Sequence, residues 1–171
     1  DLIPSLIKLE SALSVKVKDF NKVLKIGRTH LQDATPMTLG QEFSGYQSII
    51  KNSLSQINQT KKLLSSLAQG GTAVGTGINT HKNFGLLIAN EISKFTKIKF
   101  VKTKNHFEAQ SSQNQAVAFS GSLKTLAIGL NKIANDIRWL GSGPRSGLGE
   151  LTIPPVQPGS SIMPGKVNPV I

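Results

Sequence analysis

An all-α fold built from long helices packed as a bundle is predicted by three features of this 171-residue chain. Apolar residues recur at steps of three and four along most of its length, the helical period. Two of these stripes run for well over twenty residues, longer than a small isolated core needs. The breaks between them are marked by glycine and proline clusters.

The first stripe is Leu2, Leu6, Leu9, Leu13, Val17, Phe20 and Leu24. It predicts one helix from Leu2 to Leu24, roughly 30 Å long at about 1.5 Å per residue. Gly27 ends it, and residues 27–36 read as a polar connection. The second helix is predicted to start at Thr38, because Thr38-Leu39-Gly40-Gln41 has the reciprocal form of a capping box. Its stripe passes through Phe43, Tyr46, Ile50, Leu54 and Ile57 to Leu67, and Gly70-Gly71 stops it.

Residues 70–80 (GGTAVGTGINT) are glycine-rich but lack the Gly-Lys-Ser/Thr ending of a phosphate loop. They also follow a helix rather than a strand, so a tight packed turn is the reading. A shorter helix is expected over residues 82–95. Ile98-Lys99-Phe100-Val101 is β-prone but isolated, and reads as an extended linker. The last helix is predicted over residues 107–140. There Phe119, Leu123, Leu126, Leu130, Ile133, Ile137 and Leu140 recur at alternating steps of four and three, a mean of 3.5. That is the seam of a left-handed, coiled-coil-like pack, favouring an oligomer. After the Gly141-Ser142-Gly143-Pro144 break, residues 145–150 read as one further helical turn and the remainder as a long irregular loop.

Composition removes several function classes. The absence of cysteine excludes a disulfide framework, thiolate chemistry and cysteine-based zinc. His30, His81 and His106 are far apart and show no paired-ligand spacing, so no metal site is expected. No G-x-S-x-G elbow is present. The net charge of +11, from 20 Lys+Arg against 9 Asp+Glu, is scattered over helix faces. Aromatics at 5% are too few for base-stacking platforms, so nucleic acid is not the expected partner. No apolar run reaches transmembrane length and no secretory signal pattern opens the chain. A soluble compartment is expected, the cytoplasm or, in a eukaryote, the mitochondrial matrix. The chain starts at Asp1 inside an amphipathic pattern and stops just after a proline, as a piece of a longer protein would.

What remains is residues 158–169 (PGSSIMPGKVNP), where adjacent hydroxyls, a lysine and an amide are punctuated by prolines and glycines. A donor-rich loop of this kind suits a small anion. Lys166 can pair with a carboxylate as a point charge, while Asn168 and Thr29 add directional donors. His30, in the polar connection, is of a residue type fit for acid–base work. Residue types alone lead to an anion site with acid–base capacity on a helical bundle, and no further.

The loop also resembles the signature of the fumarase/aspartase superfamily, G-S-x-x-M-x-x-K-x-N, with Gly159, Ser160, Met163, Lys166 and Asn168 at every fixed position. Residues 27–41 (GRTHLQDATPMTLGQ), 70–81 (GGTAVGTGINTH) and 133–150 (IANDIRWLGSGPRSGLGE) are similar to class II fumarate hydratases in particular. The resemblance covers essentially the whole chain. It implies the central helical-bundle domain of that fold, with residues 1–171 forming part of it and N- and C-terminal parts lying elsewhere. It further implies a metal-free, cofactor-free hydro-lyase that interconverts fumarate and L-malate in the tricarboxylic acid cycle. The implied partners are a small dicarboxylate and three further copies of the chain, in a homotetramer with a twenty-helix core and active sites shared by three subunits. Ser160 matches the base that takes the C3 proton of malate, and His30 the group that activates or protonates water. Thr29, Ser161, Lys166, Val167 and Asn168 match substrate-binding positions. The glutamate that pairs with the family's histidine would fall beyond Ile171, so this piece alone is expected to be inactive. An aspartate ammonia-lyase of the same superfamily and a non-catalytic helical scaffold are the alternatives.

Overall fold

A computed structural model describes residues 1–169 and shows a predominantly helical chain. Its helices are α1 (Leu2–Asp19), α2 (Leu39–Leu64), α3 (Phe84–Thr96), α4 (His106–Ser111) and α5 (Asn114–Leu140). Two small strand pairs accompany them: β1 (Leu24–Thr29) with β2 (Gln32–Thr38), and β3 (Ser66–Leu67) with β4 (Val101–Lys102). The chain divides into two compact units, Asp1–Leu126 and Ala127–Ile171.

In the first unit α1 lies along α2. Leu6 and Leu13 are buried on one side, and Leu39, Phe43, Tyr46, Ile50 and Ile57 on the other, at the spacing of the two stripes. Edge-to-face contacts link Phe20 to Phe43 at 5.1 Å and Phe43 to Tyr46 at 5.3 Å between ring centroids. The expected start of α2 is present in full. Thr38 Oγ1 accepts from the Gln41 N–H at 3.1 Å, and Gln41 Oε1 accepts from the Thr38 N–H at 2.9 Å.

Helix α1 stops at Asp19, five residues short of the stripe's last member, Leu24. Leu24 instead opens β1 and is 79% exposed. The region read as a polar connection is an antiparallel hairpin, with Lys25 opposite Met37 and Thr29 opposite Gln32. Helix α2 ends at Leu64 with Ser65 as its cap, before the double glycine, because the chain turns there into β3. The segment read as an isolated linker pairs with it. Val101 N–H donates to Ser65 O at 2.9 Å and Thr103 N–H to Leu67 O at 3.0 Å, making a short parallel ladder.

The glycine-rich stretch is a packed turn, as expected. Gly75 and Gly77 N–H groups both donate to Gly71 O, and α4 covers the turn. His106 Nδ1 lies 2.9 Å from Ala68 O and Gln110 Nε2 donates to Thr72 O at 2.8 Å. The last predicted helix is divided at Ser112 and Gln113. Ser112 takes extended angles and its Oγ accepts the Asn114 N–H at 3.2 Å, offering the backbone a local alternative to the helical bond. Along α5 the 3.5-residue seam carries the burial: Leu126, Ile133 and Leu140 are buried. Ser122 is buried beside the seam and bonds Thr60 of α2 through the two hydroxyls at 3.1 Å.

In the second unit α5 ends in a knot of backbone bonds. Glu150 and Leu151 N–H groups donate to Leu140 O, and the Gly149 N–H to Ser142 O. Residues 144–147 form bends and residues 148–150 are irregular, where a further helical turn was expected. Two glycines permit this fold-back: a Cβ at Gly147 would stand 2.3 Å from the Ser142 carbonyl carbon, and one at Gly141 would stand 2.3 Å from Ile153.

Candidate functional site

The predicted residues fall into two groups, each built by one unit. In the first, β1 and β2 are joined by a two-residue turn made of His30 and Leu31, with φ of 50° and 61°. Positive φ at both central positions is the signature of a type I′ turn, whose twist matches the hairpin. The usual occupants are asparagine and glycine. Histidine tolerates this region better than most residues, whereas leucine does not. Leu31 is also 70% exposed, so no packing repays its conformation. The turn thrusts the His30 imidazole out at the apex, with Thr29 just below it on β1; both are exposed.

The hairpin stands on a rigid base. Leu39 N–H donates to Val23 O at 2.8 Å and Gly40 N–H to Phe20 O at 3.0 Å, closing the chain where α1, the hairpin and α2 meet. The Lys25 ammonium forms an ion pair with Glu42, with the Lys25 side chain only 7% exposed. The Tyr46 hydroxyl donates to the same carboxylate at 3.3 Å. Gly27, read from sequence as a helix terminator, sits at a register shift between Ile26 and Arg28. A side chain there would meet Thr35 O at 2.9 Å and Met37 Sδ at 3.1 Å. Glycine at a bulge that bends a strand is the better account of it.

The second group is the loop over residues 158–169. It closes on itself: Gln157 Nε2 donates to Asn168 O at 3.4 Å, and the Lys166 N–H to Met163 O at 3.1 Å. Gly159 lies so close to the Lys166 carbonyl that a Cβ would stand 2.6 Å from its oxygen, while Gly165 turns the chain at φ 78°. A compact loop with its ends together is an Ω-loop, a common carrier of function. A concavity of about 580 Å³ opens on it, lined by Ser160, Ser161, Met163, Lys166 and Val167 from the loop and by Thr152, Ile153 and Pro155 before it. Thus four of the five expected residues of this loop share one hollow, and Asn168 stands outside its lining. Thr152 and Ile153 were not singled out from sequence, and their only local signal is the proline pair that follows them.

Chemically the residues lining the hollow offer three hydroxyls, of Thr152, Ser160 and Ser161, and one ammonium, a set suited to a carboxylate. Among the described residues no N–H donates to Ser160 Oγ. Nor does any group of three or more His, Cys, Asp or Glu converge as metal ligands among them.

A family model described as Lyase matches residues 1–171. The chain belongs to this lyase family. It is 57% identical over 169 residues to the mitochondrial fumarate hydratase of Saccharomyces cerevisiae, covering 99% of this chain and 35% of that protein. It is 58% identical over 168 residues to the class II fumarate hydratase of Rickettsia bellii, covering 98% and 36%. Among solved structures it is similar to a class II fumarase from Schistosoma mansoni, with a TM-score of 0.93, 40% identity and coverage of 99% and 38%. A fumarate lyase:delta crystallin from Brucella melitensis superposes with a TM-score of 0.92 at 46% identity, covering 98% and 36%. The chain spans about a third of the length of the curated relatives it matches. The expected helical fold is therefore that of solved fumarases and fumarate lyases. The relatives include mitochondrial and bacterial proteins, and no helix among the described residues is long and apolar enough to cross a membrane.

Proposed function

We propose that the protein to which this chain belongs catalyses the reversible hydration of fumarate to L-malate, with no metal or cofactor. The observation that carries the reading is identity of 57% to a fumarate hydratase over nearly the whole chain, with the signature loop folded around one hollow. In this reading Lys166 and Asn168 hold a substrate carboxylate, with Thr29, Ser161 and Val167 as further contacts. Ser160 takes the proton from C3 of malate. The electron pair left on C3 is delocalised into the adjacent carboxylate, whose added charge Lys166 stabilises as it develops. The C2 hydroxyl then leaves as water, protonated by His30, and the C2–C3 double bond forms. Hydration runs the same steps backwards, with His30 activating the water.

Thr29 and His30 belong to one compact unit and the Ser160 loop to the other, and each group lacks what the other supplies. We place them in sites shared by three subunits of a homotetramer, assembled on the central helical-bundle domain of which residues 1–171 are part. Serine is a weak base, and the loop alone gives Ser160 no N–H donor, so its activation falls to groups outside this loop. The 171-residue chain by itself is accordingly proposed to be inactive, and the protein to work in the cytoplasm or the mitochondrial matrix.

The test is the full-length protein with fumarate alone and then with fumarate plus ammonium. Malate formed without ammonium is the expected result. Aspartate formed only with ammonium would replace this reading by an ammonia-lyase, and no product in either case would leave a helical scaffold.

A further inference from the structure

A second concavity, in the first unit, lies between the last turn of α2 and residues 97–100. It encloses about 760 Å³ and is lined by Asn58, Lys61, Lys62, Leu64 and Ser65 on one side and by residues 97–100 (Lys-Ile-Lys-Phe) on the other. That volume is in the range of small-molecule sites, about 300–1,000 Å³. We propose that it binds a small organic anion with an apolar body, at a place separate from the residues assigned to fumarate.

Charge is the first argument. Four lysines, Lys61, Lys62, Lys97 and Lys99, rim the cleft, and no carboxylate lines it. None of the four has an ion pair among the described residues, whereas Lys16, Lys94 and Lys132 each pair with an acid one turn away on their own helix. The C-terminal carbonyls of α2 oppose an anion with about half a charge. Lys61 and Lys62, in that same last turn, offset it, so the field in the cleft remains positive.

The second argument is the floor. Leu64, Ile98 and Phe100 supply apolar surface between the two lysine pairs, with Ile98 44% exposed. Four solvated lysines alone would hold only counterions, but apolar surface beside them rewards a ligand that also carries hydrocarbon. The wall is held in shape. Lys97 turns the chain at φ 59°, Ile98 N–H donates to Thr96 Oγ1 at 3.3 Å, and Phe100 N–H to Ser93 Oγ at 2.8 Å. The Val101 N–H bond to Ser65 O then ties this wall to the end of α2. Fumarate has two charges and no apolar body, so it does not fit this division of labour.

The class defined is an anionic head on an aliphatic or aromatic body, which a fatty acid and a nucleoside monophosphate both satisfy. Fluorescence titration of the full-length protein with 8-anilinonaphthalene-1-sulfonate tests it. Reversing one wall (Lys97→Glu with Lys99→Glu) is expected to weaken binding about tenfold or more at unchanged far-UV circular dichroism. Neutralising the other (Lys61→Ala with Lys62→Ala) is expected to weaken it by a smaller factor, and stands in should the first variant not fold. Competition with laurate and with adenosine monophosphate distinguishes the bodies: displacement by one alone assigns that class. Equal affinity in folded variants and parent, absence of binding, or failure of both competitors would overturn the proposal.

Discussion

Gly40 and Gly45 occupy the same helix, and adding one methyl group to each is expected to have opposite effects. A Cβ at Gly40 would stand 2.7 Å from Val17 O and 2.8 Å from both the N and Cα of Asn21, all backbone atoms that a rotamer change cannot move. A Cβ at Gly45 meets nothing within 4 Å. In a helix, alanine is favoured over glycine by about 1 kcal/mol, and Gly45→Ala should gain most of it. Gly40→Ala gains less, because it lies in the first turn, and must also push α1 away from α2. Overpacking of this kind costs about 1–3 kcal/mol, so the net expectation is a loss of about 1–2 kcal/mol. Urea unfolding followed by circular dichroism reads both. With a slope of about 2 kcal/mol per molar, Gly40→Ala should lower the midpoint by roughly 0.5–1 M and Gly45→Ala should raise it by a few tenths. Equal midpoints for the two variants would refute the claim that the α1–α2 approach at Gly40, on which the hairpin stands, is sterically closed.

Leu31→Asn should stabilise the protein by about 1 kcal/mol, a rise of roughly 2–4 °C in Tm, because asparagine accepts the left-handed turn that leucine resists; an unchanged or lower Tm in a thermal melt would refute it. Gly159→Ala forces a methyl group to 2.6 Å from Lys166 O and should open the loop, raising KM for fumarate severalfold in the full-length protein, with an unchanged KM the contrary outcome. Ser160→Ala and His30→Asn should each reduce kcat by about a hundredfold or more while light scattering still reports the parent's assembly; a silent substitution would remove that residue from the mechanism.

The features legible in the sequence are the ones decided by neighbours a few residues away. The α2 start was readable because Thr38 and Gln41 satisfy each other's backbone groups across a single turn. The α5 seam was readable because one helix face repeats every two turns, and its members Leu126, Ile133 and Leu140 are the buried ones. The break at Ser112 was missed because neither glycine nor proline marks it, although a serine that caps the following N–H was a usable sign. At the candidate site, the identity of the loop residues was legible, but the contact of Gly159 with the Lys166 backbone and the addition of Thr152 and Ile153 to the lining were not.

By itself, then, the amino-acid sequence determined the helical stripes, the α2 cap, the permissive glycines and the chemistry of residues 158–169. Only the tertiary structure decided that Leu24 leaves its stripe for a strand, that His30 crowns a type I′ turn, and that Val101 pairs with Ser66. The reason is physical. A helix pays for its backbone bonds within four residues, so its pattern is local. A strand's bonds go to a partner whose position depends on the rest of the fold: for β1 that partner is the next segment, and for β4 it lies some thirty-five residues earlier. An apolar residue at the right spacing looks the same in either setting, and the choice falls to whichever partner the packed chain brings within reach.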